Sequence, residues 1–255
     1  MRINKFIAHA TNISRREADN AVSAGRVHIN GRVADMGAQV DASSIVRFDG
    51  KIVGGKTAYT YLMLNKPVGY LCSRSSQGGV PTIYSLLPEP YRSLKAVGRL
   101  DKDSSGIILL TDDGDFAFQM THPSFHKVKV YEVELNRPLE PLHQQMISDH
   151  GINLEDGQSQ FMIEKLDQTA DQGDFDTSAT SQQRGATKKA TSAERGREIA
   201  LNRDYRITMH EGRNRQIRRT FLALGYTVTK LHRTNFGNYS LGDIKSGEYT
   251  LTDIR

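Results

Sequence analysis

From Asp167 to Arg197 the chain runs through Gln, Thr, Ser, Ala and Gly with almost no large apolar side chain. Such a stretch cannot bury enough surface to offset the entropy of ordering it. Any core must therefore be assembled from the residues on either side. The stretch is expected to be a disordered insertion between two strands rather than a domain, with Arg184, Lys188, Lys189, Arg195 and Arg197 read as solvated charge. What remains of the 255 residues is enough for one large or two modest domains.

The first fifty residues read as a small unit. Ile3, Phe6 and Ile7 fall at i, i+3 and i+4, the spacing of one buried helix face. Ser14 precedes Arg15-Arg16-Glu17 as a capping box would, so a second helix is expected from there to about Ala24, stopped by Gly25. Val27-His28-Ile29, Asn30-Gly31 and Arg32-Val33 spell a hairpin with a type I′ turn, and Asp41 to Phe48 supplies a closing strand. Arg2, Lys5, Arg15, Arg16, Arg26, Arg32 and Arg47 outnumber the acids, and a helix face carrying Arg15 and Arg16 suits phosphate. A boundary is placed in 49–58, around Gly54-Gly55, leaving 59–255 as a larger domain.

In that domain Tyr59 to Asn65 reads as a buried strand ended by Lys66-Pro67. Thr82 to Leu87 reads as a short helix, and Asp115 to Thr121 as another with Phe116 and Met120 inward. Lys127 to Leu135 alternates as a strand, with Tyr131, Val133 and Leu135 on one face. Asp204 to Met209 is a further strand. Arg213 to Leu224 reads as a helix burying Ile217, Phe221 and Leu224, with Gly225 as its C-terminal cap. Its four arginines, Arg213, Arg215, Arg218 and Arg219, are of the type that grips phosphate bidentately. Tyr226 to Leu231 is again a strand.

A net charge of +5 favours an anionic partner. No apolar run approaches the roughly 20 residues of a bilayer span, and a cytoplasmic chain is expected. Cys72, the single cysteine, is read as structural. His122, His126, His143, His150, His210 and His232 lack metal-site spacing, and no Gly-Lys-Ser/Thr follows a glycine pair, so neither a metal nor a cofactor is expected.

The reactive group is sought in Gly98-Arg99-Leu100-Asp101-Lys102-Asp103-Ser104-Ser105-Gly106, which leads into the apolar strand Ile107 to Thr111. A carboxylate on a loop anchored by a strand is fixed yet reachable, and Asp101 is the candidate. Asp103, Asp112, Asp113 and Asp115 are read as turn and helix-start residues without chemistry.

Ile3 to Ile7, Ser14 to Ala18 and Gly25 to Gly31 resemble the S4 RNA-binding domain over residues 1–48. Leu64-Asn65-Lys66-Pro67-Val68-Gly69-Tyr70, Gly98 to Asp101 with Ser105-Gly106 and Asp113-Gly114, Lys129-Val130-Tyr131, and Gly212 to Arg219 resemble, in order and spacing, the RsuA-type pseudouridine synthases. The resemblance implies an α+β chain: a small S4-like α/β domain, then a mixed α/β domain with a bent, mostly antiparallel sheet and a central cleft. It makes Asp101 the catalytic aspartate, Tyr131 the ring stacking on the target base and Arg218 the cation paired with Asp101. Leu231 and Leu241 would pack around the base, and Arg99, Leu100, Arg215 and Gln216 would contact substrate. Arg2, Lys5, Arg15, Arg16, Arg26, Arg213 and Arg219 would hold RNA. The partner implied is structured RNA, with ribosomal RNA favoured and transfer RNA the alternative, bound by a monomer.

The chemistry asks for these residue types. Uridine becomes its C-glycoside when N1–C1′ breaks, the uracil turns, and C5 joins C1′. A carboxylate attacks C1′ or acts as a base at the sugar, and both routes stay open. A neighbouring arginine keeps it ionised. The base must first leave its stack, at a few kcal/mol, and stacking on an aromatic offsets roughly 1–3 kcal/mol of that. Two other classes are weighed: a non-catalytic RNA-binding factor would lack Asp101, Tyr131 or Arg218, and a metal-dependent hydrolase would show clustered acids or histidines.

Overall fold

The computed structural model describes residues 1–11, 13–54, 58–166 and 202–254. The stretch Asp167 to Arg197, expected to be an insertion, lies outside the described residues. The chain divides into two compact units, one of Met1–Leu100, Ile108–Phe125 and Asp243–Arg255, the other of Asp101–Ile107 and His126–Gly242. Helices and strands are numbered along the whole chain.

The first unit opens with α1 (Ile3–Thr11) and α2 (Arg15–Ser23). Ser14 caps α2 as expected: its hydroxyl accepts from the Glu17 amide at 3.1 Å, and the Glu17 carboxylate accepts from the Ser14 amide at 2.6 Å. The helices pack with β1 (Val27–Ile29), β2 (Arg32–Val33), β3 (Val46–Phe48) and β4 (Lys51–Val53), an antiparallel sheet of order β2-β1-β3-β4. Ile3, Ile7, Ala18, Ala21, Val22, Val27 and Val46 form its core. Asn30 and Gly31 both take positive φ, as a type I′ turn requires. The closing strand is shorter than Asp41 to Phe48, because the Asp41 carboxylate accepts from Ser43 and Ser44 and folds the chain into a turn first. Strand β4 falls in the stretch read as linker. Asp49 (φ 49°) and Gly50 (φ 77°) make a second tight turn there.

The same unit holds β5 (Tyr61–Lys66), buried along its whole length, paired antiparallel with β15 (Tyr249–Thr252). Strand β6 (Lys95–Val97) pairs with the far end of β7 (Ser105–Thr111). Thr82 to Leu87 forms a single 3-10 turn at Ile83–Leu86 rather than an α-helix. Helix α3 (Gly114–Thr121) starts at Asp113, whose carboxylate accepts from two α3 amides and from the Tyr61 hydroxyl at 2.7 Å, so this acid is structural as read.

The second unit is built on β8 (Lys129–Leu135), β11 (Met162–Lys165), β12 (Asp204–Met209) and β13 (Val228–Phe236), in the antiparallel order β11-β12-β8-β13. Tyr131, Val133 and Leu135 are buried in alternation, as the period-2 pattern of β8 requires. The start of β7 runs parallel to β13, pairing Ser105 with His232 and Gly106 with Arg233. A β-bulge interrupts β13 between Arg233 and Asn235, and β14 (Tyr239–Ser240) folds back on its end. Helix α4 (Pro141–Gln145) leads through a π-helical turn to the hairpin β9 (Ile152–Leu154) and β10 (Gly157–Ser159). Helix α5 (Gln216–Ala223) ends at Gly225 in the left-handed conformation.

Candidate active site

Asp101 sits on the turn that launches β7. The Ser104 amide donates to the Asp101 carbonyl at 3.1 Å, closing the turn one residue before the strand begins. Gly106 then passes so close to β13 that a Cβ on it would overlap the Arg233 backbone, and its φ is +107°. Any side chain there would push β7 off β13 and displace the turn that carries Asp101.

Two arginines converge on this turn from α5 and the residue before it. Arg215 donates from both terminal nitrogens to the Asp103 carboxylate, at 2.9 and 3.0 Å, and its Nη1 lies 3.7 Å from Asp101 Oδ2. Arg218 donates to the Val228 carbonyl at 2.9 Å and to the Asp103 carbonyl at 2.8 Å, and its Nε lies 3.4 Å from Asp103 Oδ2. That last approach is an ion pair too bent to be a hydrogen bond, so Nε is buried without one. The pairing expected between Arg218 and Asp101 is thus corrected: Arg215 is the cation within ion-pair reach of Asp101, and Arg218 staples the turn through main-chain oxygens. The reason is local. The helix expected from Arg213 starts only at Gln216, because Arg215 stands in the left-handed region (φ 46°).

The electrostatics follow from these contacts. The Arg215 hydrogen bonds, with help from Arg218, hold the Asp103 carboxyl below the usual carboxylate range. Asp103 in turn raises Arg215, while burial pushes Arg218 down. Asp103 was read as a plain turn residue, and here it binds the site's arginines.

Tyr131 and Arg233 face each other across β8 and β13, and Ile207 lies opposite Tyr131 on β12. Cross-strand partners share a face, so Ile207, Tyr131, Arg233 and Gly106 form one row ending at the Asp101 strand. Tyr131 is buried, and its hydroxyl makes no hydrogen bond to another described residue. Arg233 is 2% exposed, donates from Nε and Nη2 to the Ile107 carbonyl at 2.9 and 2.7 Å, and lies 4.6 Å from the Phe236 ring centroid. The strand expected over Tyr226 to Leu231 stops two residues short of Arg233. Its parity with Leu231, two residues back, was the available signal that it points inward. Lys129 stands over the same Phe236 ring, and burial lowers its pKa.

The remaining expected residues divide cleanly. Leu231 and Leu241 are buried, Leu231 opposite Val133. In the first unit Leu100 is buried with its amide and carbonyl bracketing the Cys72 sulfur at 3.4 and 3.3 Å, while Arg99 is exposed. Gln216 is held by the Arg213 amide, Ser159 and Glu211. Arg213 clamps the β9–β10 hairpin through Asp156 and the carbonyls of Gly157 and Gln158, and Arg219 binds both Asp156 oxygens. Arg26 is paired bidentately with Asp49, and Lys5 with Asp115 at 2.5 Å. Arg2, Arg15 and Arg16 are exposed and make no ion pair with another described residue.

The site therefore offers a half-buried carboxylate with a guanidinium 3.7 Å away, on a turn stapled by a second arginine, in a strand system that also carries a buried tyrosine. Such a carboxylate is reachable from solvent, which suits attack on an electron-poor carbon or removal of a proton.

Comparison with known proteins adds to this. The family model described as RNA pseudouridylate synthase matches residues 60–223, and the S4 domain model matches residues 1–46. The chain is 34% identical over 252 residues to the ribosomal small subunit pseudouridine synthase A of Pasteurella multocida, covering 98% of this chain and 94% of that protein. It is 32% identical to the protein of that name from Escherichia coli, covering 98% and 95%. It is 29% identical to the ribosomal large subunit pseudouridine synthase B of Bacillus subtilis, covering 97% and 90%. Among solved structures, a crystal structure of a pseudouridylate synthase superposes with a TM-score of 0.62 at 28% identity, covering 99% of this chain and 96% of that one.

Proposed function

The chain belongs to the RNA pseudouridylate synthase family, with an S4 domain at its front, and from that premise we propose that it isomerises a uridine of ribosomal RNA using Asp101. The observation that carries the assignment to Asp101 is its setting: a half-buried carboxylate on the turn before β7, within ion-pair reach of Arg215. Among the acids of that loop Asp103 is bonded to Arg215. Asp101 is the one left with a carboxylate open to substrate.

The reaction conserves atoms. N1–C1′ breaks, C5–C1′ forms, and the proton on C5 is lost as N1 gains one. Asp101 serves either as the nucleophile at C1′ or as the base at the sugar, and in both roles it must be ionised. Arg215 places a positive charge 3.7 Å from it. Tyr131 stands in the cross-strand row that ends at Gly106, and its ring is the aromatic that would stack on the uracil once it has left the RNA stack. The substrate class rests on the names of the relatives, which act on RNA of the small or the large ribosomal subunit.

The decisive measurement uses ribosomal RNA carrying tritium at uracil C5. Asp101→Asn should lose tritium release by roughly 10³-fold or more while binding RNA as before. An Asn variant that still turns over sinks the assignment. Carbodiimide-dependent primer extension on RNA of both subunits from a deletion strain identifies the uridine.

A further inference from the structure

Arg215 Nη1 is shared between two carboxylates. It lies 2.9 Å from Asp103 Oδ1, in a hydrogen bond doubled by Nη2 at 3.0 Å, and 3.7 Å from Asp101 Oδ2, beyond hydrogen-bond range. The Nη1–Nη2 edge of a guanidinium meets a carboxylate through two parallel N–H groups, and Asp103 occupies that edge of Arg215. The backbone of Arg215 is left-handed, a conformation that non-glycine residues keep only where surrounding bonds over-determine it. The pair with Asp103 is one such bond.

This matters because the two possible contacts have opposite effects on reactivity. A guanidinium at a distance stabilises the carboxylate charge and leaves the oxygens open. The same group in a bidentate pair covers both oxygens and lowers their nucleophilicity and basicity alike. On the reading that Asp101 performs the isomerisation, we propose that Asp103 is a positioning residue that holds Arg215 off Asp101, so that the Asp101 oxygens stay uncovered. Arg218 cannot replace it in this role. Its Nη1 and Nη2 are bound to the carbonyls of Val228 and Asp103, and removing the Asp103 carboxylate leaves those main-chain bonds in place.

A double-mutant cycle on the full chain separates this role from a structural one. Single-turnover rates at saturating enzyme are measured for wild type, Asp103→Asn, Arg215→Gln and the double variant, with RNA affinity and thermal unfolding alongside. Asp103→Asn should slow the chemical step on the order of tenfold or more, with RNA affinity unchanged or tighter. In the Arg215→Gln background the same change should cost less than about twofold, because no guanidinium is left to swing over. Asp103→Glu, which keeps the ion pair, should recover most of the rate. An equal cost in both backgrounds overturns the inference, and so does an Asp103→Asn variant as fast as wild type. A loss of affinity and melting temperature that accounts for the slowing assigns Asp103 a structural role and overturns it too. If wild type itself forms no pseudouridine, the reading of Asp101 fails first and the inference falls with it; if wild type turns over normally, only the inference is at stake.

Discussion

Two Arg-Arg pairs lie near the ends of this chain, Arg15-Arg16 at the start of α2 and Arg218-Arg219 in α5, and their circumstances are opposite. The first pair is exposed and makes no ion pair with another described residue. The second is largely covered: the Arg218 side chain is 13% exposed and that of Arg219 30%, and both bind carboxylates and main-chain oxygens. Helix phase explains the split. In α2 the buried stripe is Ala18, Ala21 and Val22, which leaves the first turn facing water. In α5 the stripe is Ile217, Thr220 and Phe221, and Arg218 and Arg219 flank it. The same residue type, at the same density, is open to solvent in one region and bound into the scaffold in the other. Arginine count alone does not separate the two.

The hardest test of that contrast is Arg218→Ala. It leaves the Val228 and Asp103 carbonyls without their donor and frees the Asp101 turn. Stability should fall by about 2–4 kcal/mol, read by thermal or urea unfolding, and the rate of pseudouridine formation by roughly 10²-fold or more. Arg218→Lys should recover little of either, because an ammonium cannot span two carbonyls in different directions. A lysine variant close to wild type makes Arg218 a point charge for RNA, and the contrast between the two pairs disappears.

Arg15→Ala with Arg16→Ala tests the other arm and should act on binding alone. RNA affinity should weaken, and the slope of log affinity against log salt should flatten by about 1.4 to 1.8, for two lost phosphate contacts. Thermal unfolding and the single-turnover rate at saturating enzyme should hold. An unchanged salt slope, or a lower melting temperature, places this pair in the scaffold as well.

How far these roles could be read beforehand depends on how local their causes are. The capping box at Ser14, the Asn30-Gly31 turn and the alternation in β8 obey rules spanning two to four residues, and each is present in the fold. The Asp49-Gly50 turn that makes β4 obeys the same rule but falls in a stretch whose glycines spell a linker. Helix α5 starts three residues later than its sequence pattern predicts, because Arg215 is left-handed in a setting that includes a carboxylate more than a hundred positions away. The turn that leads from Asp101 into β7 was legible from its loop, whereas the cation beside Asp101 was not. Which of four nearby arginines reaches which acid is decided by strand register and helix start together. Arg233 was hidden for a related reason: a buried arginine satisfied by the Ile107 carbonyl has no signature within its own strand beyond parity.

The smallest expected effect concerns a half-buried histidine in the scaffold region. His232 on β13 has its Nδ1 2.9 Å from the Ser105 hydroxyl, and burial lowers its pKa below the ordinary histidine value. Glu132, its partner across β8, pulls the other way with less force, and Lys230 adds to the lowering. The unfolded chain therefore binds a proton at this site more readily than the folded one. Stability from this group is complete above about pH 6.5, the ordinary histidine pKa, and is lost as pH falls from there toward the lower folded value. Melting temperature should drop modestly between pH 7 and pH 5, and less so in His232→Gln, whose amide can still bond the Ser105 hydroxyl. His9 on α1, also lowered by burial, contributes a drop of the same sign, so His9→Gln is measured in parallel. Because Ser105 and Gly106 start the strand behind Asp101, acid loosening through His232 should be accompanied by slower chemistry. Loosening through His9 should leave the single-turnover rate alone, which separates the two regions by titration as the arginine variants separate them by charge.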